Sequence, residues 1–395
     1  MLSVYEGFFS GGARIVHSDI VLGLREGGQH QRVLSLYGEV HREATRQRME
    51  DDTCYRALTG AGVGVTSLGR TFTGTGVSAD FTGPELAETA RAMAEADVLL
   101  SLKEQPLALL NQAGLPRRPV VVCLHRSDPE NQGPALDELK AAIADGTVAA
   151  CVCCAESTRA AYEAAGVPAE LLHVIPNGVD LVRFRPDAAR RVALRTELGI
   201  DLDAPVVVFA ARYDGMKNVP LLLAAARAWL ERVPEGRVLM CGAGMTAANP
   251  GLAADVTAAF GARRDLAERG LRLLGVRRDM EHLYAAADVV ALTSAWGEAA
   301  PLCLIEGMMC GAIPVTTDVG DSAAIVAGLG TVTPPDPQAI ALAWSEAVAS
   351  REALAPALLA ARERFSRTRM IASYAALLDG IHVGSVTRPT LPEPL

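Results

Sequence analysis

The chain has 395 residues, enough for two or three domains; half of them are hydrophobic and 21% are charged, which is typical of a globular protein with extensive cores. The formal net charge of −9 argues against nucleic acid as a partner and against electrostatic docking on anionic lipid. Since the sequence has no stretch of about 18 uninterrupted apolar residues, it predicts no membrane span.

Short, continuous apolar runs alternate with longer helical patterns along most of the chain. Continuous runs are typical of parallel strands that are covered on both faces. The predicted strands are residues 31–36, 98–102, 119–124, 148–153, 173–175, 206–211, 237–241, 271–274, 289–292 and 313–316. The predicted helices include residues 14–25, 85–96, 219–232, 253–269 and 280–287. This alternation indicates an α/β fold with doubly wound parallel sheets, and the units are too many for one sheet.

A cluster of Pro, Asn and Gly at residues 176–180 divides the chain. We predict a first Rossmann-like domain over residues 1–176 and a second over 177–364. Residues 365–381 have a helical pattern, and the Pro-rich tail, 382–395, is expected to be loose. Ligands of open α/β sheets bind beyond the carboxyl ends of the strands. We therefore expect the two domains to face a central cleft, with the chemistry in loops that follow strands.

Cys151, Cys153 and Cys154 lie in an apolar run. Zinc sites usually combine two ligand pairs at a set spacing. The sequence supplies no second pair here, so we predict a buried strand and no metal site. The first seven residues lack the basic region and apolar core of a signal peptide. We expect a cytoplasmic protein with reduced thiols.

A helix with two glutamates is predicted after the strand that ends near Leu292. Pro301 fits the first position of this helix and Gly311 fits its end. The free backbone N–H groups of Leu302 and Cys303 would then form an anion site.

Glu306 lies within this helix and Glu298 lies in the loop before it. Glu306 can accept hydrogen bonds from ribose hydroxyls, and Glu298 can accept them from hydroxyls of a transferred sugar. The alternative is one solvated and one capping glutamate.

Arg212 and Lys217 lie in the short loop between the strand that begins at Val206 and the next helix. Arg presents a planar fork to phosphate, and Lys presents a compact charge. The loop therefore predicts a diphosphate site, with two solvated surface cations as the alternative.

Three further positions are weaker candidates. Gly11 and Gly12 precede a helix and would let a ligand approach the backbone. Gly242 begins a G-x-G-x-x-A pattern, which is typical of dinucleotide sites. We discount an NAD site because residues 249–251, Asn-Pro-Gly, interrupt the expected helix. Gly242 remains a candidate contact to the sugar-nucleotide donor. His125 follows a strand and can donate to a sugar hydroxyl or phosphate, or be structural.

These residues resemble glycosyltransferase family four, the large retaining group with the GT-B fold. Glu298 and Glu306 are separated by seven residues, as in the glutamate pair of that family. The other matching segments are Gly11–Gly12, Val174–Asp180, Arg212 with Lys217, Leu274–Gly275, Ala286–Val289, Asp318–Asp321 and Pro334–Pro337.

The resemblance implies a role for each donor residue. Arg212 and Lys217 would hold the donor diphosphate, Glu298 would contact the donor sugar, and Glu306 would contact the ribose. The loop at Val276 and Arg277 would present backbone groups to the base, which in this family is often that of UDP.

It also implies the reaction. His125 would lie beside the reacting centre, and the last helix would return to the first domain. The family retains anomeric configuration, uses front-face attack without a protein nucleophile, and requires no metal or other cofactor. The expected reaction moves a hexose-type sugar from a nucleotide-diphosphate sugar to a small-molecule or glycan acceptor. A cell-envelope glycan, a natural product and an aminocyclitol are candidates.

The sequence departs from the family at several positions. Ala299–Pro301 replace a frequent Gly-Phe-Gly, Ala211 and Asn218 replace glycines that flank the Arg/Lys loop, and Arg14 replaces a frequent Glu. The first two changes are expected to reshape the sugar pocket, and the last leaves the acceptor open. A nucleotide-sugar epimerase or hydrolase, and a non-catalytic sugar-nucleotide binding module, are the alternative functions.

Overall fold

The computed structural model divides the chain into two compact units, Met1–Asn177 with the segment from Arg367, and Gly178–Ser366. The sequence placed the same transitions at residues 176 and 364. The structure describes residues 1–9, 11–42, 45–74 and 77–386. Most of the predicted tail, residues 387–395, lies outside these ranges.

The first unit is built on a sheet with strand order β3-β2-β1-β5-β6-β7-β8, in which β4 also pairs with β2. All of its described pairings are parallel except that of β2 with β3. Its strands are β1 (Leu2–Gly7), β2 (Arg32–Arg42), β3 (Thr45–Arg48), β4 (Gly64–Phe72), β5 (Leu99–Leu102), β6 (Val120–Leu124), β7 (Val148–Cys153) and β8 (Leu172–Val174). The helices between them are α1 (Gly12–Glu26), α2 (Thr53–Gly60), α3 (Gly83–Ala94), α4 (Leu107–Leu110), α5 (Ala135–Ala144) and α6 (Glu156–Ala164).

The second unit is built on a parallel sheet with strand order β11-β10-β9-β12-β13-β14. Its strands are β9 (Val206–Ala210), β10 (Arg237–Cys241), β11 (Leu271–Gly275), β12 (Val289–Leu292), β13 (Ile313–Thr317) and β14 (Thr331–Thr333). Its helices are α7 (Ala188–Glu197), α8 (Val219–Arg232), α9 (Pro250–Phe260), α10 (Arg264–Gly270), α11 (Met280–Ala286), α12 (Leu302–Met309), α13 (Ser322–Val326) and α14 (Pro337–Ala360).

The last helix that the structure describes is α15 (Arg367–Val386), which belongs to the first unit and packs against α1. Gly23 of α1 allows this approach, since a Cβ there would lie 2.1 Å from the Ile371 side chain. The helix extends five residues beyond the predicted end at residue 381. Across the described ranges, no helix is both long and apolar enough to cross a membrane.

The prediction of two doubly wound parallel sheets is confirmed. The central strands are apolar on both faces: Val206–Phe209 of β9 and Val120–Leu124 of β6 are fully buried. The cysteine-containing run at Val148–Cys153 is a strand of the first sheet, as predicted.

Two features of the fold were not predicted correctly. The strands β1, β3, β4 and β14 were missed, β4 because it is polar and mostly half-exposed, so that it gives no apolar run. The single helix predicted over residues 253–269 is divided into α9 and α10. Gly261, at φ 49°, terminates α9 because its left-handed conformation cannot continue a helix.

Each sheet has a position at which the strand order reverses. In the first unit it lies between β1 and β5, and in the second between β9 and β12. Connections on the two sides of such a position leave towards opposite faces of the sheet, which opens a crevice at the carboxyl ends of the two strands. These two strand pairs therefore define where ligands are expected.

A buried ion network fixes the amino-terminal side of the second sheet. Arg195 is fully buried, and its Nη2 lies 2.9 Å from Oδ2 of Asp288, which also accepts the backbone N–H of Val206 at 2.8 Å. Arg191 donates to the other carboxylate oxygen at 2.6 Å. Asp288 thus ties α7 to β9 and to the start of β12.

We expect Asp288→Ala to lower the free energy of unfolding of the second unit by about 3–5 kcal/mol, because it leaves the Arg195 charge buried without its counter-ion. Urea unfolding followed by circular dichroism measures this loss. Asp265→Ala is the matched control, since Asp265 pairs with Arg263 on the surface and should matter little. Equal losses in the two variants would contradict the structural role of Asp288.

Candidate functional site

The predicted Arg/Lys loop and the predicted glutamate loop lie side by side in the second unit. The first follows β9 and the second follows β12, the pair of strands at which the order reverses. The loops are joined by two hydrogen bonds, from the Ala295 N–H to the Met216 carbonyl at 2.9 Å and from Thr293 Oγ1 to the Lys217 carbonyl at 3.0 Å. The structure therefore brings together residues that are about 80 positions apart in the chain.

Lys217 and Glu298 form an ion pair between these loops. Both side chains are largely buried, 14% and 8% exposed, and Ser294 Oγ donates to Glu298 Oε1 at 2.6 Å. The Ser294 carbonyl in turn accepts a hydrogen bond from Thr317 Oγ1 at 2.7 Å, which fixes the loop to β13. The carboxylate of Glu298 is therefore held in one position rather than free on a mobile loop.

Arg212 lies at the start of the same loop and is one-third exposed. Its Nη2 lies 3.2 Å from Oδ2 of Asp214, whose other oxygen accepts the Met216 N–H at 2.9 Å. Asn218 ends the loop in the left-handed conformation, at φ 49°. Asn tolerates this conformation better than most residues, so it can replace the glycine that the family often has there.

The helix α12 begins beside the ion pair. It starts at Leu302, so Pro301 is the N-cap residue rather than the first helical residue, because its ψ of 114° is not helical. No side chain caps this end, and the amides of the first turn are available to an anion. Burial raises the pKa of the Cys303 thiol to about 12, and the charges of Lys217, Glu298 and Glu306 also act on it, which places all four groups in one cluster.

Glu306 has a partner that the sequence did not reveal. The Tyr284 hydroxyl, at the buried end of α11, donates a hydrogen bond to the Glu306 carboxylate. Burial, together with the charge of Glu306, raises the pKa of Tyr284 well above its ordinary value, so the hydroxyl remains a donor. Glu306 is thus oriented from inside the core while it stays half-buried.

Two glycines support the loops from behind. Gly242, at φ 138°, lies so close to the Arg212 loop that a Cβ would be 2.1 Å from the Ala211 carbonyl oxygen. Gly320, at φ 60°, lies against the other loop, where a Cβ would be 2.3 Å from the Glu298 carbonyl oxygen. Close packing of backbone against backbone therefore explains why both positions are glycine. This explanation does not depend on any contact between Gly242 and a ligand.

The prediction that residues 249–251 interrupt a helix is wrong. Pro250 begins α9, and Asn249 Oδ1 caps this helix by accepting the Gly251 N–H at 3.0 Å. Gly244 of the pattern and Gly251, which lies beyond it, have another function: a Cβ at either position would lie 2.8 Å from the Tyr213 side chain. They make room for a tyrosine of the neighbouring loop.

The Val276–Arg277 loop follows β11, and its arginine is already engaged in ion pairs. Arg277 donates to Asp279 at 2.9 Å and to Glu197 at 3.0 Å, and these carboxylates raise its pKa well above the usual range. Val276 is 70% exposed. A base at this position would therefore meet the backbone and the Val276 side chain rather than a free guanidinium.

Of the first-unit candidates, Gly11 and Gly12 come after β1, at the reversal of that sheet, and His125 comes after β6, the neighbour of β5. Gly11 precedes α1, which begins at Gly12, and His125 follows β6. Burial, aided by the charge of Lys103, lowers the pKa of His125 to about 3, so the ring is neutral. Its Nε2 has no hydrogen-bond partner within the described residues.

Sequence reasoning also missed Glu6, near the carboxyl end of β1, and Lys103, which follows β5. Lys103 Nζ lies 3.4 Å from Glu6 Oε2, and Lys103 has a left-handed backbone, at φ 66°. The signal was the position of each residue at the carboxyl end of a strand, but β1 was not recognised. In the parts of the chain that the structure describes, no group of three or more His, Cys, Asp or Glu side chains could hold a metal ion.

The fold and the two polar strand ends define the chain as a two-domain protein of the GT-B type. Residues 11–183 match the family model described as Glycosyltransferase Family 4, and residues 204–350 match that of Glycosyl transferases group 1. The chain belongs to family four of the glycosyltransferases, as its motifs predicted.

The curated relatives include enzymes named D-inositol 3-phosphate glycosyltransferase. That of Xylanimonas cellulosilytica is 32% identical over 280 residues, 66% of this chain and 62% of the relative. That of Corynebacterium urealyticum is 34% identical over 186 residues, 44% of this chain and 41% of the relative. The chain thus spans less than two thirds of the length of either relative.

Solved structures with the same fold are more distant in sequence. The structure of Anabaena Alr3699/HepE in complex with UDP and glucose has a TM-score of 0.76 at 22% identity, over 96% of this chain and 99% of that one. The structure of WaaG, a glycosyltransferase involved in lipopolysaccharide biosynthesis, has a TM-score of 0.69 at 15% identity, over 96% and 100%.

We expect Gly320→Ala to destabilise the second unit more than Gly328→Ala does. Both glycines have positive φ, 60° and 73°, so both variants carry the strain of a left-handed alanine, about 1–2 kcal/mol. Only at Gly320 does the new Cβ meet the Glu298 backbone, which adds about 1–3 kcal/mol. Thermal unfolding of the two variants measures the difference, and equal midpoints would mean that the Glu298 loop is not held by this contact.

Proposed function

We propose that the chain is a retaining glycosyltransferase that moves a hexose-type sugar from a nucleoside diphosphate sugar to an acceptor hydroxyl. The observation that carries this proposal is the Lys217–Glu298 pair at the strand reversal of the second sheet, with the first turn of α12 beside it. It puts a cation, a carboxylate and helix-end amides within one small region. Membership of the family supports the same activity.

The donor diphosphate binds between Arg212, Lys217 and the amides of Leu302 and Cys303 in this proposal. Each charge-assisted hydrogen bond to the diphosphate contributes about 1.5–3 kcal/mol. These contacts strengthen as the diphosphate leaves and gains charge, which is how such a site lowers the barrier. UDP is the first donor nucleotide to test, since the similar HepE structure was solved with UDP.

The two glutamates recognise hydroxyls at either end of the diphosphate. Glu298 accepts hydrogen bonds from the transferred sugar, and Glu306 accepts them from the ribose. The contacts of Glu298 with Lys217 and Ser294 hold its carboxylate as a hydrogen-bond acceptor. This role suits a carboxylate that positions the sugar better than one that attacks it. We therefore propose front-face attack by the acceptor, with retention and without a covalent sugar–protein intermediate.

The base meets the backbone at Val276 and Arg277, and Gly242 lies at the edge of the diphosphate loop. His125 and the Gly11–Gly12 turn belong to the first unit and contact the acceptor. A neutral His125 can donate to or accept from an acceptor hydroxyl, and its unsatisfied Nε2 supports such a contact. A cell-envelope glycan or a natural product is the acceptor class that we propose.

We expect Lys217→Met and Glu298→Gln each to lower kcat/KM about 100–1,000-fold, because each removes a preorganised contact to the reacting sugar phosphate. Transfer from UDP-glucose to an acceptor panel, followed by mass spectrometry, measures it. Lys140→Met and Glu268→Gln are matched controls on exposed side chains. The double variant Lys217→Met/Glu298→Gln leaves no unpaired buried charge and separates activity from folding.

Three outcomes would contradict the proposal. Near-normal rates in both single variants would remove the assigned roles. Donor turnover without any acceptor would instead indicate an epimerase or hydrolase. Tight donor binding without turnover across the panel would indicate a binding module.

We propose that the reaction needs no metal ion, since Arg212 and Lys217 supply the positive charge that a cation would otherwise supply. Addition of EDTA should therefore leave the initial rate of transfer unchanged, and added Mg²⁺ or Mn²⁺ should not raise it. The control is Lys217→Met, in which a divalent cation could partly replace the lost charge. A strict requirement for metal in the unaltered protein would refute this part of the proposal.

A further inference from the structure

The strand reversal of the first unit contains a small polar cavity of about 40 Å³. Glu6, Gly11, Arg14 and Lys103 are among the residues that line it. Glu6 and Arg14 are buried, 7% and 8% exposed, so the cavity is surrounded by charges that have lost most of their water. Charges in such a place must be balanced by one another or by a ligand.

Lys103 is held in the cavity by its backbone. Its N–H donates to the Cys123 carbonyl at 3.0 Å, and its own carbonyl accepts from Ser101 Oγ at 2.9 Å. This keeps the residue at φ 66°, a strained conformation for a residue with a side chain. Its ammonium group lies 3.4 Å from Glu6 Oε2.

The charges around this strand edge cancel in pairs. Lys103 pairs with Glu6 at 3.4 Å, and Arg14 pairs with Asp52, a buried aspartate that also caps α2. A third cation that follows β6, Arg126, is bonded to both carboxylate oxygens of Asp128 at 2.6 Å.

The histidines nearby add no positive charge. Burial lowers the pKa of His17 and of His125 to about 3, so both rings are neutral at ordinary pH. The edge therefore offers hydrogen-bonding groups of both kinds but no surplus cation.

This balance disfavours a phosphate. A phosphate dianion in the cavity would face the buried Glu6 carboxylate. The Arg14–Asp52 pair is buried and does not readily exchange its anion, whereas the Arg212–Asp214 pair of the donor loop is about one-third exposed and can. A hydroxyl group meets no such penalty, because it can donate to Glu6 and accept from Lys103 at the same time. Discrimination of this kind arises from what a site repels as much as from what it attracts.

We infer that the acceptor of this protein is an unphosphorylated polyol whose hydroxyls bind between Glu6 and Lys103. The inference rests on the proposed function and specifies its acceptor class. It also separates this chain from the relatives named D-inositol 3-phosphate glycosyltransferase, whose name specifies a phosphorylated acceptor.

The first experiment measures phosphate binding to the full chain by calorimetry, with the donor site saturated by UDP. Inorganic phosphate and inositol 3-phosphate are the probes. Glu6→Gln, which frees the Lys103 charge, should bind both at least about tenfold more tightly than the unaltered protein. Glu6→Gln/Lys103→Met should lose that gain, and Glu95→Gln, at the exposed ion pair with Arg32, should leave binding unchanged.

A gain that persists without Lys103, or no gain in Glu6→Gln, would overturn the inference. UDP affinity is measured on the same preparations. If UDP fails to bind, the proposed donor site is wrong, while the comparison of phosphate binding among the variants still decides the inference.

The second experiment compares transfer to matched acceptors that differ only in a phosphate, such as inositol with inositol 3-phosphate and glucose with glucose 6-phosphate. In each pair that supports turnover, the unphosphorylated member should have a kcat/KM at least about tenfold higher. Glu6→Gln should lower the ratio of kcat/KM for the unphosphorylated member to kcat/KM for the phosphorylated one. A preference for the phosphorylated member would overturn the inference even if transfer itself is observed.

Discussion

The ion pair between Lys217 and Glu298 is the constraint on which the candidate site depends. It joins the loops that follow β9 and β12, and Ser294 and the carbonyl of Lys217 reinforce the junction from either side. Because both charges are largely buried, neither can move away without leaving the other uncompensated, at a cost of several kcal/mol. The pair therefore presets the loops for a charged ligand instead of leaving them to be ordered on binding.

The same arrangement recurs in the first unit with a different chemical result. Glu6, near the end of β1, and Lys103, just after β5, also pair across two strands at which the sheet order reverses. In the second unit Arg212 and the open end of α12 add positive character beside the pair, which suits a diphosphate. In the first unit Arg14 is held by the buried Asp52, whereas the Arg212–Asp214 pair of the second unit is about one-third exposed and can exchange its partner for a ligand; the first site therefore suits hydroxyl groups. Similar topology thus supports two kinds of recognition.

Backbone geometry explains substitutions that composition alone does not. Asn218 replaces a glycine because it can adopt the left-handed conformation at φ 49°. Gly320 cannot be replaced as easily, because the Glu298 carbonyl occupies the space that a side chain at position 320 would need. The pattern that begins at Gly242 resembles a dinucleotide fingerprint only in sequence, because the space at Gly242 is taken by the Ala211 carbonyl and the space at Gly244 by Tyr213. Glycines at the spacing of a ligand-binding motif can therefore be required for packing alone.

The sequence alone determined the two doubly wound sheets and the identity of the donor loops, because buried parallel strands are continuous apolar runs and the loops after them carry the charged residues in a fixed order. It did not reveal β1, and so it missed Glu6; Lys103, after the predicted β5, had no visible partner without it. Only the tertiary structure decided that Tyr284 supports Glu306 and that Glu6 meets Lys103. The physical reason is that such contacts join residues distant in the chain, and no local pattern encodes which charges will neutralise each other.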